Sequence, residues 1–166
     1  MKKKILLGIF VLVLGGAWLN SARAQNVIEK GVGLVNLGLG VTSDGVPVSV
    51  SYDYGVNGNL WDANSALTVG VLGGTTFADN YFGLYVGPRV GLHYHFVPEL
   101  DTYVSLMLGF NYHQINNNGQ GETVSKFRPE WGSHFGMRYL FTPTVGAFAE
   151  LGYGYSILNL GVTFRL

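Results

Sequence analysis

The chain ends in the stretch LNLGVTFRL, residues 158–166, in which apolar side chains alternate with polar or small ones. The apolar row is Leu158, Leu160, Val162, Phe164 and Leu166, and the other row is Asn159, Gly161, Thr163 and Arg165. Strict alternation predicts a β-strand whose two rows lie on opposite faces. We expect a lipid bilayer to cover the apolar row, because this sequence offers no later segment that could do so.

The same alternation recurs along the chain and predicts eight strands of roughly ten residues, as in the smallest common transmembrane barrels. The predicted spans are 32–42, 47–56, 65–74, 81–96, 101–112, 124–140, 145–155 and 158–166. Pro88 predicts a bulge or local break in the fourth span, because proline cannot donate to the ladder. The connections expected at one end of the barrel are 43–46, 75–80, 113–123 (the longest) and 155–157.

The composition suits a membrane protein that crosses the bilayer without helices. Charged residues make up 12% of the sequence, against about 25% in a typical soluble domain. After residue 24, no apolar run approaches the roughly 20 residues that a transmembrane helix needs. Only helices and closed barrels satisfy every backbone group in hydrocarbon. The sequence therefore predicts an all-β, eight-stranded, antiparallel up-and-down transmembrane β-barrel.

Residues 1–24 have the features of a cleaved signal peptide. A basic head at 2–4 precedes an apolar stretch at 5–14, and ARA at 22–24 is a small-x-small cleavage site. The barrel domain is then predicted to comprise residues 25–166, and a retained anchor helix is the alternative. The sequence contains no cysteine, which excludes disulfides and acylation at cysteine. The mature chain has no basic patch, so we expect no nucleic-acid partner.

Every mid-strand charge that can be placed lies on the glycine-rich row of its strand. These charges are Asp53, Arg89, Glu130, Arg138, Glu150 and Arg165. An arginine on the lipid face would cost about 2–4 kcal/mol at mid-depth, so this row is predicted to face the lumen and the apolar row to face lipid. The alternative is a soluble, lipocalin-like barrel, which would turn the apolar row inward and leave a surface with few charges.

The inward charges predict a network that fills the lumen. An eight-stranded lumen is just wide enough for side chains, and unpaired charges in it would be costly. We therefore expect Arg89, Glu130, Arg138 and Glu150 to pair across it, which argues against a wide pore. The alternative is that the charges line a solute path, as in a narrow porin.

Three further patterns have ordinary structural explanations. His93 and His95 share a face, but no third metal ligand is obvious in the sequence, so we expect no metal or cofactor. Ser133 and His134 are adjacent and point to opposite faces, which argues against a Ser–His acyl-transfer enzyme. Aromatic residues near strand ends predict girdles at the two membrane interfaces. They are Tyr52, Tyr54, Tyr94, Phe96, Tyr112, Tyr139, Tyr153 and Tyr155.

Several segments resemble the small porin-like family of outer-membrane barrels. They are LDTY at 100–103, LMLG at 106–109, FAELGYG at 148–154 and LNLGV at 158–162. The resemblance implies an eight-stranded barrel of the OmpA or OmpX type, surrounded by outer-membrane lipids and lipopolysaccharide. It also implies periplasmic chaperones and insertion by the outer-membrane assembly machinery, which reads the terminal strand. The expected assembly signal is Phe164 and Leu166, although family members usually end in an aromatic residue.

The family has no single activity, so the resemblance implies location and fold more than function. We expect a monomeric integral outer-membrane barrel with a structural or surface role, a side-chain-filled lumen and no catalysis. The runner-up is a narrow, low-conductance porin for small solutes. A lipid A-modifying enzyme and a soluble carrier come behind these two.

Overall fold

The computed structural model describes residues 26–78, 81–117 and 122–166. The predicted signal peptide, residues 1–24, lies outside these ranges. Within the described ranges, no helix is both long enough and apolar enough to cross a membrane.

Eight antiparallel strands close into one barrel, in which each strand pairs with its neighbours in chain order and the last pairs with the first. The strands are β1 (Gly33–Val41), β2 (Val46–Asn57), β3 (Ser65–Ala78), β4 (Tyr81–Val97), β5 (Leu100–Asn117), β6 (Glu122–Leu140), β7 (Val145–Tyr153) and β8 (Leu158–Arg165). The predicted fold class, an all-β, eight-stranded antiparallel barrel, is confirmed.

The strands differ in length, so one side of the barrel is taller than the other. β7 and β8 have 9 and 8 residues, whereas β5 and β6 have 18 and 19. The predicted loops 75–80 and 113–123 are wrong in extent, because pairing continues to Ala78 and Asn117 and resumes at Glu122. β6 pairs with β7 only over 133–140. Its earlier residues therefore rise with β4 and β5 as a wall above the β7–β8 turn.

Pro88 breaks the ladder without changing its register. In the described ladder between β4 and β5, pairing lapses at Gly87 and Pro88 and resumes at Arg89 in the same register. The predicted interruption is therefore a local break and not a bulge, as expected where a backbone donor is missing.

The apolar rows face outward and the glycine-rich rows face the lumen. Leu108 is 70% exposed and Leu39 is 62% exposed, whereas Arg138 and Asp101 are fully buried. This is the reverse of a soluble barrel, whose exterior must be solvated by water. The exposed leucines, valines and phenylalanines instead match the apolar band of a transmembrane barrel. The lipocalin-like alternative is therefore excluded.

β8 closes the barrel between β7 and β1. Phe164 pairs with Val35 of β1 and Val145 of β7, and the amide of Leu166 donates to the Gly33 carbonyl at 2.9 Å. The expected assembly signal thus lies at the seam between the first and last strands. Its recognition by an assembly machinery stays a prediction.

Residues 26–32 fold into the end of the barrel where β1 begins and β8 ends; we call this segment the N-terminal plug. Val27 and Ile28 are 0% and 1% exposed. The Val27 amide donates to the Pro98 carbonyl at 3.1 Å, and the Ile28 amide donates to Nε2 of His95 at 3.2 Å. Their apolar neighbours are Val32, Leu34, Ala66 and Leu140. The segment therefore closes this end of the lumen.

Candidate functional site

The candidate site is the lumen, in which side chains form three layers. The N-terminal plug closes one end. Charged and polar side chains fill the middle. Towards the other end lies an apolar and aromatic layer of Leu72, Tyr85, Met107 and Tyr155. In this layer the rings of Tyr85 and Tyr155 stack with centroids 5.7 Å apart, and the Tyr85 hydroxyl contacts the sulfur of Met107.

Arg89 of β4 joins two carboxylates in the middle layer. Its Nε lies 3.1 Å from Oδ1 of Asp53, and its Nη2 lies 3.0 Å from Oε1 of Glu150. Gly70 is the ladder partner of Arg89 on β3. A Cβ at Gly70 would lie 2.8 Å from Oδ1 of Asp53, so glycine there leaves the room that the ion pair occupies.

Arg138 of β6 extends the network towards the N-terminal plug. Its Nη1 donates to Oδ2 of Asp101 at 2.8 Å, and its Nη2 lies 3.7 Å from Oδ2 of Asp53. The guanidinium also lies 4.8 Å from the ring centroid of Tyr103, within cation–π range. Asp53 therefore links both arginines into one continuous network.

Glu150 of β7 is held by neutral donors as well as by Arg89. The hydroxyls of Tyr103 and Tyr155 donate to it at 2.9 and 2.5 Å, and Nδ2 of Asn159 donates at 3.2 Å. The prediction that Tyr155 belongs to an interface girdle is wrong, because its side chain is buried in the lumen. Donors on both carboxylate oxygens offset the desolvation of this buried charge.

Asp101 is part of the network, although the sequence did not single it out. It is fully buried and bonds Nδ1 of His93 at 2.9 Å as well as Arg138. The alternation could have identified it, because Asp101 lies two residues before Tyr103 and therefore on the same inward-facing row of β5. Its position at the predicted start of the strand concealed that signal.

Two of the six predicted lumen charges lie apart from this network. Glu130 lies towards the end of the barrel opposite the N-terminal plug, where its Oε2 accepts from Nδ2 of Asn111 at 2.6 Å. Arg165 lies at the opposite end and donates from Nε to the Val27 carbonyl at 3.1 Å. The expected pairing of Arg89 with Glu130 is wrong: Arg89 bonds Asp53 and Glu150 instead.

Thr68, His93 and Asp101 form a hydroxyl–imidazole–carboxylate line that sequence reasoning did not find. Oγ1 of Thr68 lies 2.9 Å from Nε2 of His93, whose Nδ1 lies 2.9 Å from Asp101. The arrangement resembles a nucleophile with its base and orienting acid. However, Thr68 is 1% exposed, so a substrate cannot reach its hydroxyl.

His93 and His95 are committed to hydrogen bonds. Nε2 of His95 accepts from the Ile28 amide, and its Nδ1 donates to the Asn64 carbonyl at 3.0 Å. His93 is held between Thr68 and Asp101. In the part of the chain that the structure describes, no three His, Asp or Glu side chains are arranged to hold a metal ion.

No family model and no curated protein matches the sequence, but solved structures match the fold. The N-terminal β-barrel domain of Pseudomonas aeruginosa OprF is similar with a TM-score of 0.62 and 18% identity, over 82% of this chain and 98% of that one. Ail, the attachment invasion locus protein of Yersinia pestis, gives a TM-score of 0.55 and 14% identity, over 82% and 99%. A de novo designed transmembrane β-barrel gives a TM-score of 0.50 and 23% identity, over 83% of this chain and 98% of that one.

At these identities the likeness concerns the fold. Together with the apolar exterior, it defines the chain as a small transmembrane β-barrel. The chain spans nearly the whole length of the barrels that it matches.

Proposed function

We propose that the protein is a monomeric integral outer-membrane barrel with a structural or surface role and a lumen that does not conduct. The observation that carries this proposal is the continuous network from Glu150 through Arg89, Asp53 and Arg138 to Asp101. A lumen filled by buried, paired charges has no column of water for ions to cross.

The network also supports a structural role. Its charges come from five strands, and the pairs Arg89–Asp53, Arg89–Glu150 and Arg138–Asp53 join strands across the bore. Removing one partner of a buried pair leaves an uncompensated charge, which is strongly destabilising. The network therefore favours one closed arrangement of the barrel over partly opened ones.

The orientation and the partners belong to the same proposal. The N-terminal plug faces the periplasm, and the wall of β4, β5 and β6 faces outward. Outer-membrane lipids and lipopolysaccharide cover the apolar band, and the assembly machinery reads β8 at its Phe164–Leu166 end. We propose no catalytic role, because the hydroxyl of Thr68 is sealed from substrates.

A narrow porin is the second candidate. The observation that favours it is the charged lining of the lumen, since rings of charged side chains are a known basis of selectivity in pores. It requires that the ion pairs exchange partners and that both the apolar layer and the N-terminal plug move aside.

Planar-bilayer recording is expected to distinguish these two functions. We expect the wild-type protein to be silent, because all three layers block the bore. The double variant Arg89→Ser with Glu150→Ser removes both charges of one pair and leaves Asp53 beside Arg138, so we expect small, brief current steps. The control variant Lys126→Ser with Glu99→Ser also removes one positive and one negative charge, but at exposed positions. We expect it to give no current. Steady, salt-dependent openings of the wild type would instead establish the porin.

A further inference from the structure

An open cavity of about 420 Å³ lies at the outer mouth of the barrel. It is bounded by the wall of β4, β5 and β6 and by the β1–β2 turn, and we call it the vestibule. Its volume lies in the range of roughly 300–1,000 Å³ that is usual for small-molecule sites. Its chemically distinctive lining is Asp44, Tyr81, Asn111, His113, Arg128 and Glu130. The ion-pair network of the middle layer includes none of these six residues.

The rings of Tyr81 and His113 stack in the vestibule. Their ring centroids are 6.1 Å apart, and their planes are inclined by 19°. The Tyr81 ring lies against Gly83, where a Cβ would be 3.0 Å from both Cε1 and the hydroxyl oxygen of the ring. Because Gly83 has no side chain, the Tyr81 ring has room to lie over it.

The polar lining combines two carboxylates with one guanidinium, that of Arg128. Asp44 and Glu130 contribute carboxylates to the same cavity. Nδ2 of Asn111 donates to Glu130 at 2.6 Å, whereas Oδ1 of Asn111 is buried with no hydrogen-bond partner among the described residues. A buried acceptor without a partner is costly. The carboxylates of Asp44 and Glu130 suit a ligand with N–H or O–H donors, and the guanidinium of Arg128 suits one that also has acceptors.

We propose that the vestibule binds an amino sugar. The ammonium and hydroxyl groups of such a sugar donate to the carboxylates of Asp44 and Glu130, and its hydroxyl oxygens accept from Arg128. The sugar ring packs against the Tyr81–His113 pair. Because the two carboxylates outnumber the one guanidinium, the lining as a whole attracts an ammonium group and repels an acidic sugar. The sugar can come from a free saccharide or from the head group of a lipopolysaccharide. The binding is independent of whether the lumen conducts.

Tryptophan fluorescence provides the test, because Trp131 also lines the vestibule. With Trp61→Phe in place, Trp131 is the sole tryptophan of residues 25–166. In phosphatidylcholine vesicles we expect glucosamine to change its emission saturably, glucose to bind more weakly and glucuronate not to bind. Tyr81→Ala should weaken glucosamine binding at least about tenfold, which corresponds to about 1.4 kcal/mol. Glu130→Gln should remove the preference for glucosamine over glucose.

Tyr112→Ala is the matched control, since Tyr112 lies on the outer row of β5 and should leave binding unchanged. A second arm replaces free sugar with lipopolysaccharide in the same vesicles. A Tyr81-dependent response in this arm alone supports the proposal and identifies the head group as the source. The proposal is overturned if neither arm gives a Tyr81-dependent response, or if glucuronate binds as tightly as glucosamine.

Discussion

Asp101→Ala is expected to lower the free energy of unfolding by about 3–5 kcal/mol, the cost of breaking a buried ion pair by removing one partner. Asp101 is fully buried, and its Oδ2 accepts from Arg138 at 2.8 Å and from His93 at 2.9 Å. Without the carboxylate, Arg138 keeps only Asp53, at 3.7 Å, as an anionic partner among the described residues. The guanidinium cannot reach water from this position, so its desolvation is no longer offset.

Urea unfolding in lipid vesicles, followed by tryptophan emission and by gel mobility without boiling, measures this loss. Glu99→Ala is the matched control, since Glu99 is exposed in the adjacent turn and should change stability by no more than about 0.5 kcal/mol. Asp101→Asn keeps the shape of the side chain and one acceptor oxygen, so its loss of unfolding free energy should lie between those of Glu99→Ala and Asp101→Ala. A cost for Asp101→Ala no larger than that of Glu99→Ala would show that the network does not hold the barrel together.

Leu108→Arg is expected to cost about 2–4 kcal/mol, the cost of an arginine near the bilayer midplane on the lipid face of a barrel. Leu108 is 70% exposed, so neither a cavity nor overpacking accounts for a loss of this size. The loss comes from placing a guanidinium in hydrocarbon. The same urea titration in vesicles measures it.

Asn59→Arg is the comparison for this prediction, because Asn59 is exposed in the turn between β2 and β3 and should tolerate the charge. A soluble barrel makes the opposite prediction, since an arginine in place of an exposed leucine would be neutral in water. Equal stabilities of the two variants would therefore argue against a lipid-facing exterior.

The architecture was predictable because a barrel in lipid obeys a simple rule. Each strand must alternate with period two, and charges such as Arg138 must lie on the inward row. The predicted strands are least accurate at the end opposite the N-terminal plug, where residues 113–117 continue β5. Beyond the apolar band a strand does not need an apolar row, so its Asn, Gln and His residues resemble a loop.

The ion-pair network was predicted only in part, because three of its four Arg–carboxylate pairs join strands that are not neighbours. The residues that pair in a hairpin can be counted from its turn. Arg89 instead bonds Asp53 and Glu150 across the bore, and counting along a hairpin does not identify partners on strands that are not paired. The N-terminal plug was missed for a related reason. Val27 and Ile28 show neither strand alternation nor helical periodicity, and their burial depends on a space that exists only after the barrel has closed.

The central claim is that the row containing Leu106 faces hydrocarbon, and one measurement tests it most directly. Leu106 is 55% exposed and is replaced by tryptophan in a chain whose Trp61 and Trp131 are phenylalanine. In vesicles, brominated acyl chains should quench the emission of this tryptophan strongly, while aqueous iodide should leave it unchanged. Quenching by iodide without quenching by brominated lipid would contradict the account.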